Sequence, residues 1–320
     1  MQLELKEAAK KLKAAKKILV TAHVIPDGDA VGSSLALYRM LRALNKDVRV
    51  FIDDTIRKNL AALPDFDKLE RPTEGEKLDA DLLVILDTQP DRIGGMRQAA
   101  EGIPILNIDH HVTNSGAGVD IYLDPKAAAT CEIIFELSKL LKVKLDKETA
   151  ICLYTGIVTD TGFFNYANTR PSTLRAAAEL IEAGVEPNKV SEQMEKKSLS
   201  DVQGEIDALQ TMKIFFEGKA AGLFIDEELS KRIESTEGFI DLIRIIDGVE
   251  VAFLLHCKAE NYCRVSMRSK TVDVSAIAHK LGGGGHIRAA GCSINAPFDE
   301  AKMIITHAIG EAINNAMRNA

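Results

Sequence analysis

Residues 103–111 have the sequence IPILNIDHH, in which an apolar run is followed by one acid and two imidazoles. The run 103–108 predicts a short buried strand, because continuous apolar residues are typical of strands covered on both faces. The triplet Asp109-His110-His111 then lies at the carboxyl end of that strand. Ligands bind at the carboxyl ends of the strands in open α/β sheets. The stretch therefore predicts an α/β sheet with a site at one of its edges.

Apolar runs of strand length alternate with segments of helical periodicity through the N-terminal part of the chain. The helical period is clear in 30–44, where Leu37, Leu41 and Leu44 recur along one face. Such alternation predicts an α/β domain with a doubly wound, mostly parallel sheet. The predicted strands are 17–22, 47–52, 81–86 and 104–108, and the predicted helices are 30–44, 127–141, 149–159 and 171–183.

The C-terminal part has a different pattern, in which paired strands precede helices. Glu217-Gly218 separates two apolar runs and favours a hairpin. The predicted strands are 206–216, 221–225, 249–256 and 262–267, and the predicted helices are 272–281 and 298–317. These elements predict a smaller, mixed α+β domain. We therefore expect a first domain over 1–188, a linker over 189–204 and a second domain over 205–320, with an active-site cleft between the two domains.

Length and composition fit a two-domain protein with a sizeable core. The chain has 320 residues, of which 46% are hydrophobic and 27% are charged. Since no run of about 18 apolar residues occurs, we expect no membrane span. Residues 1–17 are rich in Lys and Ala and predict a first helix. They contain Glu4 and Glu7 and lack an apolar signal core, so we do not expect a targeting peptide.

The cysteines bear on the compartment. An odd number of cysteines without CxxC spacing favours reduced thiols in a cytosolic protein. They are Cys131, Cys152, Cys257, Cys263 and Cys292. The sequence therefore predicts free thiols and a cytoplasmic location.

The formal net charge of −7 bears on the partners. Proteins that bind long nucleic acid usually present a broad basic face. We therefore expect no long duplex nucleic acid as a partner, although a small anionic substrate in a local basic pocket is compatible with this charge. Carboxylates clustered for divalent cations also make a chain more acidic than its metal-bound form.

A histidine and two aspartates follow the first predicted strand in one short loop. His23, Asp27 and Asp29 lie within seven residues, and Gly28 permits a tight bend between the two acids. One aspartate is expected to cap the helix that follows, since Asp is favoured at that position. A cap requires neither the histidine nor the second acid, so the loop predicts metal binding.

Two further acids end predicted elements. Asp87 follows the strand 81–86 and Asp160 follows the helix 149–159, where each alone fits a turn or a cap equally well. With His110 they complete a set of imidazoles and carboxylates without thiolate. Such a set suits Mn²⁺, suits Mg²⁺ less well, and does not indicate a structural zinc. Four aspartates and two histidines suffice for two cations if one carboxylate bridges, and two-metal sites typically hydrolyse phosphoesters.

The C-terminal part supplies groups that suit phosphate. A glycine run, 282–285, precedes His286, and consecutive backbone N–H groups can form an anion-binding concavity. Arg264 and Arg268 lie on or beside a predicted strand together with Ser266, and Arg forms bidentate bonds with phosphate. The alternatives are a flexible hinge for the glycines and a solvated strand residue for Arg264.

Taken in order, these motifs resemble the DHH phosphoesterase family with its DHH-associated C-terminal domain. The motifs are the His-x3-Asp-x-Asp loop at 23–29, Asp87, the triplet 109–111, Asp160, the Arg-x-Ser-x-Arg-Ser segment at 264–269, and the run from Gly282 to Gly291. They span nearly the whole chain. The length and the two-domain layout are most similar to the nanoRNase/pAp-phosphatase (NrnA-type) branch.

The resemblance implies a role for each candidate residue. The ligands would be His23, Asp27 and Asp87 for one Mn²⁺, and Asp29, Asp87, His110 and Asp160 for the other, with Asp87 bridging. His111 would lie near the scissile phosphate and stabilise charge or donate a proton. Asp109 would orient a ligand histidine or bond backbone amides at the strand end. Thr130 and Glu132 match a family pattern but also fit helix capping. The substrate would be bound by Arg264, Ser266, Arg268, Gly283, Gly284, Gly285 and His286.

The implied function is that of a cytoplasmic hydrolase with two Mn²⁺ per chain, or Mg²⁺ in their place. It would cleave short oligoribonucleotides (nanoRNA) to mononucleotides as an exonuclease, or convert pAp to AMP. Three alternatives stay open: a phosphodiesterase for linear dinucleotides such as pApA or pGpG, a family II type inorganic pyrophosphatase, and a nucleotide-binding sensor without turnover. The glycine run with His286 speaks against the second, and the full set of ligand types against the third. The oligomeric state is open, with a homodimer as the commonest assembly.

Overall fold

The computed structural model describes residues 1–116, 118–233, 235–236 and 238–318. The chain forms two compact units, Met1–Lys196 and Lys197–Ala320. The predicted linker, 189–204, contains the end of one helix and the start of another, and the domain limits of 1–188 and 205–320 stay a prediction. Within the described ranges, none of the helices has both the length and the apolar character needed to cross a membrane.

A parallel sheet forms the centre of the first unit. Its strands are β1 (Lys17–Thr21), β2 (Asp47–Phe51), β3 (Leu69–Glu70), β4 (Leu82–Leu86), β5 (Ile105–Asp109) and β6 (Asp120–Leu123). They lie in the order β3-β2-β1-β4-β5-β6, and every neighbouring pair is parallel. The predicted doubly wound sheet is therefore confirmed. Its strand order reverses between β1 and β4, which is the point where open α/β sheets bind ligands.

Helices cover both faces of this sheet. They are α1 (Leu5–Ala14), α2 (Gly28–Ala43), α3 (Met96–Ala99), α4 (Thr130–Leu141), α5 (Lys147–Asp160), α6 (Pro171–Glu182) and α7 (Pro187–Met194), with 3₁₀ turns at Lys58–Ala62, Phe66–Lys68 and Pro90–Arg92. In β1, Ile18 and Val20 belong to the core formed with α1, α2, α4 and α5. Leu19 belongs to the opposite core, which includes Met96 of α3. Burial on both faces explains why these strands are apolar throughout.

The second unit is a mixed sheet with flanking helices. Its elements are α8 (Leu199–Gln210), β7 (Lys213–Phe215), β8 (Ala220–Ile225), α9 (Glu227–Ser230), α10 (Phe239–Arg244), β9 (Val251–Ala259), β10 (Tyr262–Ser269), α11 (Val274–Lys280), β11 (Gly284–His286), β12 (Ala289–Ile294) and α12 (Phe298–Arg318). The strand order is β11-β12-β10-β9-β8-β7. The pair β8–β9 is parallel and the others are antiparallel. The mixed α+β class predicted for this part is confirmed.

The predicted strand 206–216 is wrong over most of its length. Residues 199–210 form the helix α8, and only Lys213–Phe215 is a strand. Ser198 starts the helix with a capping box: its hydroxyl accepts from the backbone N–H of Asp201, whose carboxylate accepts from the N–H of Ser198. Short apolar runs do not distinguish a strand from a helix segment. In this segment the capping box at Ser198 favours the helix.

Two strands of the second unit, β11 and β12, were not predicted. The glycine run was expected to form an anion-binding concavity or a flexible hinge, and part of it, with His286, is the strand β11 (Gly284–His286), which pairs with β12 at the edge of the sheet. Glycine is a weak indicator of strands because it carries no side chain to pack. The strand β11 therefore depends on its pairing with β12, which the local sequence does not reveal.

The prediction of reduced thiols is wrong for one pair. Cys257 and Cys263 are opposite each other on β9 and β10 and form a disulfide. The hairpin between the two strands brings them together, and neither the odd cysteine count nor the missing CxxC spacing reveals that register. Cys131, Cys152 and Cys292 are free and buried.

Candidate metal centre

The loop between β1 and α2 places its histidine and aspartates at the carboxyl edge of the sheet. Asp27 is the N-cap of α2, and its Oδ1 accepts from the backbone N–H groups of Asp29 and Ala30 at 3.0 Å each. His23 Nδ1 lies 2.8 Å from the carbonyl of Val24. A carbonyl only accepts, so Nδ1 carries a proton, and in the neutral ring the lone pair is on Nε2. That tautomer is the one that binds a metal through Nε2.

One residue of this loop is held in an unfavourable conformation. Ile25 has a φ of 58°, and its side chain is 68% exposed. Its backbone N–H donates to Asp54 Oδ2 at 2.7 Å, which holds the turn. A positive φ is costly for a β-branched residue, by about 1–2 kcal/mol, and asparagine tolerates it better.

We expect Ile25→Asn to stabilise the metal-free protein by about 1 kcal/mol, because it relieves this strain without removing a buried contact. Urea unfolding with an unchanged m-value measures the gain. Ile25→Val is the matched control, since valine is also β-branched and should give no gain. A lower unfolding midpoint for Ile25→Asn than for the parent would contradict the strain.

Asp87 occupies the centre of the cluster. It follows β4 with a φ of 60° and is only 2% exposed. Its Oδ2 lies 3.4 Å from Nε2 of His23, and its Oδ1 lies 3.4 Å from Nε2 of His110. One carboxylate therefore reaches both imidazoles, each with a different oxygen, as a bridging ligand would.

His110 faces three carboxylates. Its Nε2 lies 3.2 Å from Asp160 Oδ2, 3.4 Å from Asp87 Oδ1 and 4.0 Å from Asp29 Oδ2. This nitrogen is buried and makes no hydrogen bond within the described residues. The other ring nitrogen, Nδ1, lies 3.3 Å from the carbonyl of Ala127. A buried imidazole nitrogen without a hydrogen-bond partner, among carboxylates, fits a metal ligand.

The predicted ligands fall into two groups of three. His23, Asp27 and Asp87 form one group and Asp29, His110 and Asp160 the other, and within each group the candidate ligand atoms lie within 4.8 Å of one another. Imidazole nitrogens and carboxylate oxygens without thiolate suit hard or borderline divalent cations. The described residues thus contain a cluster of acids and histidines that is able to hold metal ions.

The start of α4 fixes two of these carboxylates. Asp29 is fully buried, and its oxygens accept from the backbone N–H groups of Thr130 at 2.6 Å and Cys131 at 2.8 Å. The Thr130 hydroxyl donates to Asp87 Oδ1 at 3.0 Å. The N-terminal end of a helix favours negative charge. Thr130, which the sequence left between a cap and a site residue, therefore contacts the site directly.

Glu132 belongs to the same helix start, but its side chain bonds away from the cluster. Its Oε2 accepts from the backbone N–H of Ala128 and from the hydroxyl of Thr173, each at 2.9 Å. Glu132 thus ties the start of α4 to the first turn of α6, which is a structural role.

A glycine lets α5 approach this centre. A Cβ at Gly156 would lie 2.3 Å from Cys131 Sγ and 2.7 Å from Asp29 Oδ1. Any side chain there would displace the Asp29 carboxylate. The glycine therefore allows α5 to pack against α2 and to bring Asp160, at its end, beside His110.

The Asp109 carboxylate contacts the other histidine of the triplet. Its Oδ1 lies 2.8 Å from His111 Nδ1 and accepts from the backbone N–H groups of His110 at 2.7 Å and His111 at 3.1 Å. We expected it to orient a ligand histidine, but its bond to a ring goes to His111. A third group of candidate ligands combines Asp87, Asp109, His110 and His111. These hydrogen bonds indicate that the Asp109 carboxylate holds the ring of His111 in place rather than binding a metal ion.

The carboxylates and imidazoles of the metal-free centre shift one another's pKa. Burial lowers the pKa of His110, but the adjacent carboxylate of Asp87 and the charges of Asp29 and Asp160 raise it to about 10. Burial also lowers the pKa of His23, but the bond to Asp87 raises it to about 9. Burial and the charge of Asp87 raise the pKa of Asp29 to about 7. Divalent cations would relieve both the repulsion between the acids and the need for these protons.

We expect metal affinity to rise with pH. His23 and His110 have raised pKa values, so in the metal-free protein they carry protons at neutral pH and must lose them to bind a cation. Below pH about 7, the carboxyl group of Asp29 must lose a proton as well before it can bind a cation. Affinity should therefore increase about tenfold per pH unit for each proton released, levelling off above pH about 9–10.

Titration calorimetry of Mn²⁺ at pH 7.5, in two buffers of different ionisation enthalpy, counts the protons released. At least one proton per chain is expected. The same heat in both buffers would mean no release and would contradict these protonation states.

The register of the second unit collects its candidate phosphate-binding residues on one sheet. Arg264, Ser266 and Arg268 alternate along β10 and therefore share a face. On β12, Gly291 pairs with both Ser266 and Gly284, and Ala289 pairs with both Arg268 and His286. Residues in one such row point to the same side. The arginine segment and the glycine run thus lie on the two sides of β12, in shared rows of the same sheet.

Two of the glycines have a packing reason. A Cβ at Gly283 would lie 2.2 Å from the carbonyl of Gly291, and Gly285 has a φ of 139° with the carbonyl of Ala289 2.6 Å from its would-be Cβ. The close approach of β12 therefore requires glycine at both positions. This requirement is independent of any ligand.

Both parts of the chain match family models. The model described as DHH family, N-terminal domain, matches residues 17–157, and the DHHA1 domain model matches 221–315. The chain is 36% identical over 311 residues to the bifunctional oligoribonuclease and PAP phosphatase NrnA of Thermus thermophilus, covering 96% of this chain and 94% of the relative. It is 30% identical over 297 residues to the protein of the same name from Bacillus subtilis, with 90% and 92% covered. A crystal structure of an exopolyphosphatase-related protein from Bacteroides fragilis superposes with a TM-score of 0.90 at 25% identity, covering 98% and 97% of the two chains.

Proposed function

The chain belongs to the DHH family, and from this premise we propose that it is a metal-dependent phosphoesterase that hydrolyses short oligoribonucleotides to mononucleotides and pAp to AMP. Relatives that match over nearly their whole length are named for both activities. The observation that carries the proposal is the position of Asp87, whose two oxygens each lie 3.4 Å from the Nε2 of a different histidine. A carboxylate placed between two groups of ligands is able to hold both ions of a two-metal phosphoesterase close together.

The proposed ligands are those of the two groups, with Asp87 common to both ions. They are His23, Asp27 and Asp87 for one ion and Asp29, Asp87, His110 and Asp160 for the other. We propose Mn²⁺ as the physiological ion and two ions per chain, because imidazole and carboxylate together suit Mn²⁺ better than Mg²⁺. When bound, such ions lower the pKa of a water and stabilise oxyanion charge.

His111 is proposed as the imidazole that acts on the substrate. Its ring is held at Nδ1 by Asp109, and 39% of its side chain is exposed, so Nε2 is the atom that can meet a leaving oxygen. A positioned imidazole that donates a proton in the transition state typically contributes about 10²–10⁴-fold to the rate.

The second unit is proposed to bind the phosphates and sugars of the substrate. Guanidinium groups of Arg264 and Arg268 match phosphate geometry, and Ser266 on β10 and His286 on β11 add donors on either side of β12. The backbone N–H groups of Gly283, Gly284 and Gly285 complete the proposed set. The net charge of −7 over the whole chain fits a short substrate held by such a local set and not a long duplex.

A product-resolved time course tests this function. The protein is stripped with a chelator, reloaded with Mn²⁺ or Mg²⁺, and given 5′-labelled oligoribonucleotides from two to five residues, a long RNA, pAp, pApA, pGpG and pyrophosphate. We expect stepwise release of mononucleotides from the short RNAs and AMP from pAp, with no turnover of the chelated enzyme. Turnover confined to linear dinucleotides would favour the dinucleotide phosphodiesterase. Turnover of pyrophosphate alone, binding without turnover, or full activity after chelation would each overturn the proposal.

A further inference from the structure

Asn114 lies against Asp109 at the back of the Asp-His-His triplet. Its side chain is buried, with 5% of the residue exposed, and its Nδ2 donates to Asp109 Oδ2 at 2.6 Å. The backbone N–H of Asn114 donates to the carbonyl of His111 at 3.0 Å, so a short turn connects the two residues. Sequence reasoning gave Asn114 no role, because an asparagine after a strand usually belongs to a turn.

The bond from Asn114 completes the hydrogen bonding of Asp109. Oδ1 already receives the ring of His111 and the backbone N–H groups of His110 and His111. With Asn114 on Oδ2, each oxygen of Asp109 has at least one hydrogen-bond donor, which fixes the plane of the carboxylate. Held in this position, Asp109 Oδ1 accepts the proton of His111 Nδ1 and so keeps the lone pair of that ring on Nε2.

The side chain of Asn114 is itself hydrogen-bonded to four residues, which are Asp109, Gly116, Asn107 and Thr88. Its Oδ1 accepts from the backbone N–H of Gly116 at 2.9 Å, and its Nδ2 also lies 2.8 Å from Asn107 Oδ1. Asn107 in turn donates to the carbonyls of Ile85 at 3.0 Å and Thr88 at 2.8 Å, on either side of Asp87. The amide pair therefore connects the end of β5, which carries the triplet, to the end of β4, which carries Asp87.

We propose that Asn114 is a positioning residue for the hydrolytic reaction, acting through Asp109 to hold the orientation and the tautomer of His111. The proposal rests on the proposed function of His111. Within the described residues, the hydrogen bonds of the Asn114 side chain go to residues other than the six proposed metal ligands, so its removal should disturb the imidazole and leave the ions in place. Outer partners of this kind typically contribute about 10–100-fold in activity.

Kinetics of the Mn²⁺-loaded enzyme on a diribonucleotide give the first test. Asn114→Ala should lower kcat about 10–100-fold with KM within about twofold, and Mn²⁺ affinity by calorimetry should not change. Asn114→Asp should lose at least as much, because it keeps the shape but sets a second carboxylate against Asp109. Asn59→Ala is the matched control: it removes another partly buried amide, which donates to the carbonyl of Met194, and it should leave kcat unchanged.

A double-mutant cycle separates positioning from a merely structural role. In a His111→Ala background, Asn114→Ala should have no further effect on kcat, since the group it positions is gone. Equal losses in both backgrounds, or a loss of Mn²⁺ affinity that matches the loss of kcat, would overturn the proposal. So would a folded Asn114→Ala enzyme with kcat within twofold of the parent.

Nitrogen NMR of the Mg²⁺-loaded protein, labelled with ¹⁵N-histidine, needs no turnover. The parent should show His111 protonated at Nδ1, and Asn114→Ala should show a mixture of tautomers or a protonated Nε2. An unchanged His111 signal in Asn114→Ala would contradict the proposal. If the parent hydrolyses none of the nucleotides while this signal still responds to Asn114, the proposed function fails and the positioning by Asn114 stands.

Discussion

Asp87→Ala is expected to lower kcat/KM on a diribonucleotide by about 10⁴-fold. The carboxylate reaches the two histidines that belong to separate groups of ligands, so its loss should weaken both proposed ions together. If each ion contributes about 3 kcal/mol of transition-state stabilisation, losing both removes about 6 kcal/mol. Each 1.4 kcal/mol corresponds to a factor of ten in rate. Steady-state kinetics at saturating Mn²⁺, together with metal content per chain, measure the effect.

Asp81→Ala is the matched control for this substitution. Asp81 precedes the other end of the same strand, where its carboxylate accepts from the backbone N–H groups of Lys16 and Lys17. It should keep two ions per chain and the parent activity, with a small loss of stability. An Asp87→Ala enzyme that retains both ions and more than about a tenth of the parent activity would show that this carboxylate does not bridge, and the two-metal assignment would fail with it.

His111→Ala is expected to lower kcat on a diribonucleotide about 10³-fold, within the range of a lost general acid. Metal content should not change, because His111 belongs to neither group of three ligands. A nucleotide ester with a p-nitrophenolate leaving group needs no proton on departure, so on that substrate the loss should shrink below about tenfold. Comparing the two substrates therefore identifies proton donation, whereas equal losses would indicate that His111 only stabilises charge.

His307→Ala is the control, since it removes an exposed histidine of α12 in the second unit. Loss of an ion from His111→Ala, but not from His307→Ala, would favour the third ligand group, in which Asp87, Asp109, His110 and His111 share a cation. That result would contradict the proposed action of His111 on the substrate. Activity of His111→Ala close to the parent would do so as well.

The order of β1, β2, β4 and β5 and of the helices α2, α4, α5 and α6 followed from local patterns, whereas β3 and β6 were not predicted. Leu82–Leu86 is apolar at every position because both faces of β4 are covered, and such a run is recognisable without any knowledge of its neighbours. The same runs place Asp87 and Asp109 at strand ends. In the second unit the local pattern was ambiguous: 206–210 has the apolar content of a strand, yet it continues a helix that starts from Ser198.

Some contacts within the centre depend on elements that are distant in sequence. Thr130 meets Asp87 only because α4 starts beside the end of β4, whereas Asn114 meets Asp109 through the short turn that follows β5. The disulfide between Cys257 and Cys263 likewise depends on the register of β9 and β10. None of these pairs has a spacing that marks it as a contact.

The sequence by itself determined which residue types stand at the ends of the buried strands, because burial imposes a period that each segment carries on its own. It therefore determined the α/β class and the candidate set of acids and histidines. Only the tertiary structure decided which atoms face one another: that Asp87 lies between two histidines and that Asp109 serves His111. These distances are set by strand order, register and the entry of α4 and α5, which are properties of packing between segments and not of any one segment.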